Sequence, residues 1–155
     1  MNIIDKALEF LKAREFVAVA TADKAGKPNA APKLLLKIDG RTVYFIDYSI
    51  GRTFENLKVR PEASLTLMDV RSLAGYILNG TAEIIEKGRV YDECVEELRK
   101  REIELSVERV VAGVHIGKPH KEFEVEIPER FLVYKVRIGE CFEISPRGVV
   151  RQEGS

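Results

Sequence analysis

The sequence predicts a mainly β fold of the α+β class, an antiparallel barrel with a few peripheral helices. Strand-like runs follow one another through short turn signals, such as Gly-Lys-Pro at 26–28 and Asp-Gly at 39–40. Helical patterns are confined to the amino terminus, a short segment after residue 51 and residues 89–105. Strands joined by such tight turns favour antiparallel pairing over alternating βαβ units around a parallel sheet.

The first half of the chain supplies one helix, three strands and a short second helix. Residues 2–14 carry apolar side chains at helical spacing and are expected to cover one side of a core. The short helix must end by Arg60, because Pro61 restricts the residue before it. The three strand-like segments are residues 15–23, 29–38 and 42–48.

The second half adds strands around one longer helix. Gly80 is expected to mark a bulge or a close approach in the second of two further strands. A charged amphipathic helix follows at 89–105, and the last strand or strand pair follows the turn at Pro128. The two strands are predicted at 63–70 and 74–87, and the inner stripe of the helix comprises Val90, Cys94, Val95 and Leu98.

Length and charge limit the possible functions. At 155 residues the chain is expected to form one domain over residues 1–150, with a frayed polar tail at 151–155. Lys plus Arg and Asp plus Glu both number 25, so we expect no nucleic-acid partner and no membrane partner. Charges interrupt the amino terminus every few residues, as neither a signal peptide nor a membrane span allows, and a cytoplasmic protein is predicted.

Cysteine and histidine spacing gives no metal-site signature. Cys94 and Cys141 lie far apart without a Cys-x-x-Cys motif, and we interpret both as reduced core residues. His115 and His120 have no Cys or acidic partners at intervals typical of zinc sites. No metal is therefore predicted.

Arg52 opens the short helix, which is an unfavourable place for a cation. Helix starts carry partial positive charge, so an Arg there is disfavoured by roughly 0.3–1 kcal/mol. The hydroxyls of Ser49 and Thr53, free backbone N–H groups and the guanidinium can converge there on a phosphate. The alternative is that Ser49 simply caps the helix and Arg52 pairs with Glu55 one turn on.

Pro32 interrupts the strand at 29–38, and Lys33 follows it. Because proline cannot donate to a β ladder, this strand must lie at an edge or have an open side there. Unpaired backbone groups on such a side can bind the polar edge of a flat ring, with Lys33 as a neighbouring cation. The alternative is an edge that discourages aggregation, with Lys33 as gatekeeper.

Taken together, residues 16–69 resemble the first half of the pyridoxamine 5′-phosphate oxidase-like, FMN-binding split barrels, above all the small FMN-binding proteins. The shared order is helix, "VAxAT", "G-x-P", extended strand, "DG" and strand, then Ser/Gly, a basic-Thr pair, an Asn and a Pro. The resemblance implies a Greek-key-like split barrel with FMN as cofactor. It also implies a flavin-dependent oxidoreductase or electron carrier whose substrate is unknown.

The resemblance also implies roles for individual residues. The segment 30–34 would lie along the isoalloxazine and contact it largely through backbone, while residues 47–49 would pass the ribityl chain and phosphate. Arg52 and Thr53 would bind the phosphate, whose charge then explains a cation at the helix start. Asn56 is expected to be structural and to close the helix against the next strand. The cofactor-binding residues are thus predicted to be Ala30, Ala31, Pro32, Lys33, Leu34, Asp47, Tyr48, Ser49, Arg52 and Thr53.

Catalytic residues are not predicted, because a flavin exchanges hydride or electrons without a nucleophile-base pair. Lys33 is expected to stabilise the anionic reduced flavin if it reaches the pyrimidine edge of the ring. Tyr48 and Tyr76 are candidate lids over the ring, although tyrosines at strand positions usually lie in the core. An NAD(P)H donor would dock transiently, since the sequence lacks a dinucleotide fingerprint.

Members of this family usually pair as homodimers with the flavin at the subunit interface. Partner contacts are expected from residues 68–76 or from the carboxy-terminal strand. The chain departs from true pyridoxamine phosphate oxidases, because it has no Trp and its end lacks their Arg and His set. Vitamin B6 oxidation is therefore not expected, and neither is haem binding through His115 and His120. A non-enzymatic FMN-binding module and a deazaflavin-binding protein are the alternatives.

Overall fold

The computed structural model describes residues 2–48, 50–116 and 131–154. In α3 it describes the side chains of residues 89–104 and of residues 107, 108 and 111. The elements are, in chain order, α1 (Ile3–Lys12), β1 (Phe16–Ala22), β2 (Pro28–Asp39), β3 (Thr42–Asp47), α2 (Arg52–Val59), β4 (Glu62–Asp69), β5 (Ala74–Ile85), α3 (Arg89–Ile116), β6 (Leu132–Ser145) and β7 (Gly148–Glu153).

Six antiparallel strands close into a barrel, as the sequence predicts. Neighbouring strands follow the order β3-β2-β1-β4-β5-β6, and a further pairing of β3 with β6 closes the ring. The first half of β6 is shared between β5 and β3, while its second half pairs with β5 and β7. β6 can serve three neighbours because it is the longest strand, at 14 residues.

The core fills the barrel and the space beneath α1. Ile4, Ala7, Leu8 and Leu11 form the buried stripe of α1, which packs on β2, β5, β6 and β7. The side chain of Asn2 caps this helix by accepting a hydrogen bond from the Asp5 N–H. The predicted amphipathic helix at 2–14 is therefore confirmed, with ends one and two residues inside the expected limits.

Gly80 lies at the predicted irregularity. The register of β5 against β6 shifts between Asn79 and Gly80. A Cβ atom on Gly80 would overlap the backbone carbonyl of Arg137 and a methyl group of Val136. The strands can therefore approach this closely only with glycine at position 80.

Two element limits differ from the sequence predictions. Residues 151–153, expected to fray, belong to β7, and the Gln152 side chain accepts a hydrogen bond from the Ile4 N–H at 3.1 Å. Val149 and Val150 precede them in the same strand. The hairpin turns at Gly148, whose φ of 125° only glycine adopts easily. The second difference is α3, which extends to Ile116 rather than ending near residue 105.

The chain divides into two compact units, residues 1–86 with 131–155, and residues 87–130. The expected single domain over residues 1–150 stays a prediction. In α3 the predicted inner stripe is buried at Cys94 and Leu98 and half-buried at Val90 and Val95. Cys94 and Cys141 are both buried thiols, as expected. None of the helices that the structure describes is long and apolar enough to cross a membrane.

Two glycines of β5 provide a matched test of the bulge. We expect Gly80→Ala to lower the free energy of unfolding by about 1–3 kcal/mol, because the new methyl group meets backbone that cannot move aside. At Gly75 a Cβ atom would be 3.8 Å from the Leu67 carbonyl oxygen, an ordinary contact. Gly75→Ala should therefore stay within about 0.5 kcal/mol of the unmutated protein in urea denaturation. Equal losses for the two variants would show that the close approach is not what Gly80 provides.

Candidate functional site

One half of the candidate site is the free edge of β2. This strand pairs with β1 along Pro28–Leu34 but meets β3 only from Leu34 onward, where Leu34 lies opposite Ile46. Among the described strands none covers residues 28–33 on that side. The predicted open side of the strand at Pro32 is thus confirmed.

Backbone hydrogen bonds alternate between the two sides of a strand, and this alternation determines which groups of β2 point to the open side. The Leu35 N–H donates to the Glu15 carbonyl at 3.0 Å, so residues 31, 33 and 35 turn their backbone groups toward β1. Ala30 and Pro32 therefore turn theirs to the open edge. The missing N–H of Pro32 removes no ladder bond, while the Ala30 N–H and two carbonyl groups are available to a ligand.

Lys33 and Asp47 form a buried ion pair where β2 and β3 separate. The Lys33 ammonium lies 2.9 Å from Asp47 Oδ1, and their side chains are 10% and 2% exposed. Tyr134, fully buried on β6, donates its hydroxyl to Asp47 Oδ2 at 3.2 Å. Burial, and then the Asp47 charge, raise the pKa of Tyr134, so its hydroxyl remains a donor. Lys33 is therefore neither an exposed gatekeeper nor an isolated cation.

The other half of the site is the turn between β3 and α2. Tyr48 and Ile50 are exposed there, and the predicted site residue Ser49 lies outside the described residues. Gly51 is the N-cap of α2 and supplies no capping side chain. The predicted cap by Ser49 lies outside the described residues, and among the described side chains none caps the first N–H groups of α2.

Arg52 and Thr53 begin α2 with different surroundings. Arg52 is exposed, and within the described part of the chain its guanidinium pairs with no carboxylate, Glu55 included. Thr53 is only 2% exposed. A phosphate fits this arrangement, because free N–H groups, the positive end of the helix and an unpaired guanidinium all favour an anion.

Asn56 fixes α2 to the barrel. Its side-chain amide donates to the Thr21 hydroxyl at 3.0 Å, and both residues are buried. The expected structural role of Asn56 is confirmed, but the strand it contacts is β1 and not the next strand, β4. Since Thr21 lies on the inward face of β1, α2 is anchored at the barrel interior.

The two candidate lid tyrosines have opposite environments. Tyr76 is 1% exposed, and its ring stacks on Phe10 with centroids 5.6 Å apart, so it belongs to the core. Tyr48 is 61% exposed beside the turn and is free to contact a ligand.

Sequence reasoning missed Tyr134, because its contact with Asp47 joins residues 87 positions apart. No local motif signals that contact.

Neither histidine side chain belongs to the described residues. His115 lies in α3 with its side chain outside the described part, and His120 lies outside the described residues altogether. In the part of the chain that the structure describes, no group of three or more His, Cys, Asp or Glu side chains could hold a metal ion.

Comparison with known proteins gives a family match over most of the chain. The family model described as pyridoxamine 5′-phosphate oxidase matches residues 3–135. An uncharacterised protein of Methanocaldococcus jannaschii is 32% identical over 89 residues, which span 56% of this chain and 58% of that protein. The match thus spans less than two thirds of this relative.

Solved structures share the fold at low sequence identity. A Clostridium acetobutylicum protein related to general stress protein 26, of the pyridoxinephosphate oxidase family, is 18% identical with a TM-score of 0.68, covering 97% of this chain and 94% of that chain. A pyridoxamine 5′-phosphate oxidase-related, FMN-binding protein of Nostoc punctiforme is 15% identical with a TM-score of 0.58, covering 96% and 86%. A heme-binding protein from Mycobacterium smegmatis is 17% identical with a TM-score of 0.64, covering 99% and 58%. At these identities the likeness shows the split-barrel fold alone.

The bond between Asn56 and Thr21 can be measured by a double-mutant cycle. We expect Asn56→Ala to lower the free energy of unfolding by about 1–3 kcal/mol, since it leaves a buried hydroxyl without its donor. Thr21→Val should lose less in the Asn56→Ala background than alone, with a coupling of about 0.5–1.5 kcal/mol in urea denaturation. Strict additivity of the two losses would contradict an energetic link between α2 and β1 at this point.

Proposed function

Since the chain belongs to the pyridoxamine 5′-phosphate oxidase family, we propose that it is an FMN-binding flavoprotein acting as an oxidoreductase or electron carrier. The observation that carries the proposal is Arg52, an exposed guanidinium that pairs with no carboxylate in the described part of the chain and begins a helix whose N-cap is a glycine. A cation opposes the helix dipole at this position unless an anion binds there. The FMN phosphate supplies that anion.

Several residues of the chain would hold the cofactor. Arg52, Thr53 and the first N–H groups of α2 would bind the phosphate, and Tyr48 and Ser49 would line the path to it. The free edge of β2 at 30–34 would receive the polar edge of the ring, with the Lys33 and Asp47 pair beside it. When bound, FMN supplies hydride or electron transfer, while these residues orient it and exclude water from one side.

We also propose that the chain forms a homodimer with the flavin at the interface. The outer face of the sheet, defined by the side chains that point away from the core, includes a continuous row across six strands. This outer face holds apolar and small residues at exposed positions, among them Phe16 and Met68, which are 64% and 51% exposed. The row consists of Pro32, Ala18, Thr66, Ile77, Phe142 and Arg151.

A second copy suits this outer face for two reasons. Ala30 and Pro32 of the candidate ring site lie on the same face, so a ring at the β2 edge would also meet the partner. The face also carries the projecting side chain of Phe16, and a depression of about 410 Å³ lined by Ala20, Ser64 and Asn79 among others opens near it. In a two-fold dimer the same patch of both copies would meet, so the projection of one copy could enter the depression of the other.

The substrate and electron donor stay open. A nicotinamide donor would dock over the flavin, and the alternatives are a non-enzymatic FMN module and a deazaflavin-binding protein. The visible spectrum of the purified protein separates these cofactors: FMN gives two bands, deazaflavin a single bluer one, and haem an intense Soret band that would contradict the proposal. NAD(P)H consumption with a free acceptor separates an enzyme from a module. The expected cytoplasmic location stays a prediction.

Arg52→Ala tests the phosphate site. We expect the Kd for FMN to rise about 10-fold to 100-fold, because a charge-assisted contact is lost. The Kd for riboflavin, which has no phosphate, should stay the same in fluorescence titrations of apoprotein. Lys58→Ala removes an exposed cation from the last turn of the same helix and serves as control. An unchanged FMN affinity in Arg52→Ala would remove the observation on which the proposal rests.

Phe16→Glu tests the dimer. A carboxylate placed in an apolar interface should shift the protein toward monomer in analytical ultracentrifugation and weaken FMN binding with it, because dimer and cofactor are linked by mass action. Val59→Glu is the matched control, since Val59 is 57% exposed but lies on α2, away from the outer face. A Phe16→Glu protein that stays dimeric and binds FMN normally would show that this face is not the interface.

A further inference from the structure

The ion pair of Lys33 and Asp47 is the most deeply buried pair of opposite charges in the described part of unit 1, and its environment is specific. Asp47 is 2% exposed, with one carboxylate oxygen 2.9 Å from the Lys33 ammonium and the other accepting the Tyr134 hydroxyl. The Tyr134 ring packs on Phe45 with centroids 5.2 Å apart, so its hydroxyl is held in place. Both oxygens of the carboxylate are therefore fixed.

Fold stability does not account for charges at this place. Lys33 and Asp47 flank the Leu34–Ile46 pair at the end of the β2–β3 pairing, next to the apolar pairs Leu34–Ile46 and Leu35–Phe45. Burying two charges costs several kcal/mol of desolvation, and apolar replacements of a buried pair are often neutral or stabilising. The buried charges therefore point to a role other than stabilising the fold.

The position of the pair in the chain indicates that role. Lys33 directly follows Ala31 and Pro32, the free edge at which the flavin ring is proposed to lie. Asp47 directly precedes the turn that leads to Arg52, the proposed phosphate site. The ion pair thus stands between the two halves of the site, and any charge left on Lys33 would act on the bound ring.

We propose that Asp47 is a positioning residue for Lys33: it holds the ammonium against β3 and cancels its charge, so that the flavin meets a neutral ion pair instead of a free cation. This inference rests on the proposed function. It replaces the expectation that Lys33 by itself stabilises the reduced flavin. The charge near the ring is one of the means by which a protein sets the reduction potential of a flavin.

A charge cycle tests the proposal with Asp47→Asn, Lys33→Met and the double variant. The Kd values of oxidised and of dithionite-reduced FMN are measured by anaerobic titration of apoprotein. Asp47→Asn leaves the ammonium uncompensated, and the ratio of the oxidised to the reduced Kd should rise about 10-fold, equivalent to about 30 mV for a two-electron couple. Lys33→Met should lower this ratio by a similar factor, and the double variant should return it close to the unmutated value.

Tyr134→Phe separates charge from structural disturbance. It removes the hydroxyl from Asp47 but keeps both charges, so the Kd ratio should change by less than about 3-fold even if unfolding becomes easier. Urea denaturation of each variant reports the fold independently. If Asp47→Asn does not fold, Lys33→Met against the double variant decides the question, because only the double should restore the ratio.

Equal Kd ratios for Asp47→Asn and the double variant would overturn the inference, since the Lys33 charge would then not reach the flavin. A purely structural pair would change unfolding free energies while leaving all the ratios alike, which also overturns it. If the unmutated protein binds neither form of FMN, the proposed function fails first. That result would be seen before any variant is made. Failure of the proposed function can therefore be distinguished from failure of this inference.

Discussion

The candidate site depends on the point at which β2 and β3 stop pairing. The last pair is Leu34 with Ile46, and residues 28–33 of β2 have no partner in β3. Up to this rung the two strands pair, and β6 joins β3 on its other side to close the barrel. Beyond it β2 continues with a free edge, while the chain after Asp47 leads to α2. One departure in strand pairing thus creates both an unpaired β edge and an uncapped helix start.

Both features leave backbone groups without a partner among the described residues, which a folded protein normally avoids. On β2 they are the outward groups of Ala30 and Pro32, and at α2 they are the first N–H groups after Gly51. Buried hydrogen bonds stabilise the structure close to these groups. Asn56 bonds to Thr21, and Tyr134 bonds to the Asp47 carboxylate. Rigid anchors next to these groups fit the proposed ligand site, since they would hold the groups in a fixed geometry before the ligand binds.

The sequence predicts this fold well where local signals determine the structure. Turn residues and alternating patterns identify β1 to β6, and Pro61 and Gly80 mark an end and a bulge correctly. β7 was missed because its exposed residues carry no inward apolar pattern, and it pairs only at the sheet edge. At the site, Pro32 and Arg52 were identifiable because each is unusual at its position. The contact of Tyr134 with Asp47 was not identifiable, since barrel closure alone brings β6 beside β3.

The fold by itself does not select a cofactor, because solved neighbours of similar shape include one described as FMN-binding and one described as heme-binding. The choice between ligands has to come from the side chains of this chain. A porphyrin iron is usually held by an axial His, Cys, Met or Tyr. The described residues of the turn and of the start of α2 include one such group, the exposed Tyr48, together with a guanidinium and helix N–H groups that suit a phosphate. A phosphate tail attached to a flat ring would occupy both halves of the proposed site, so the proposal of FMN rests on the chemistry of Arg52 more than on the likeness of the barrel.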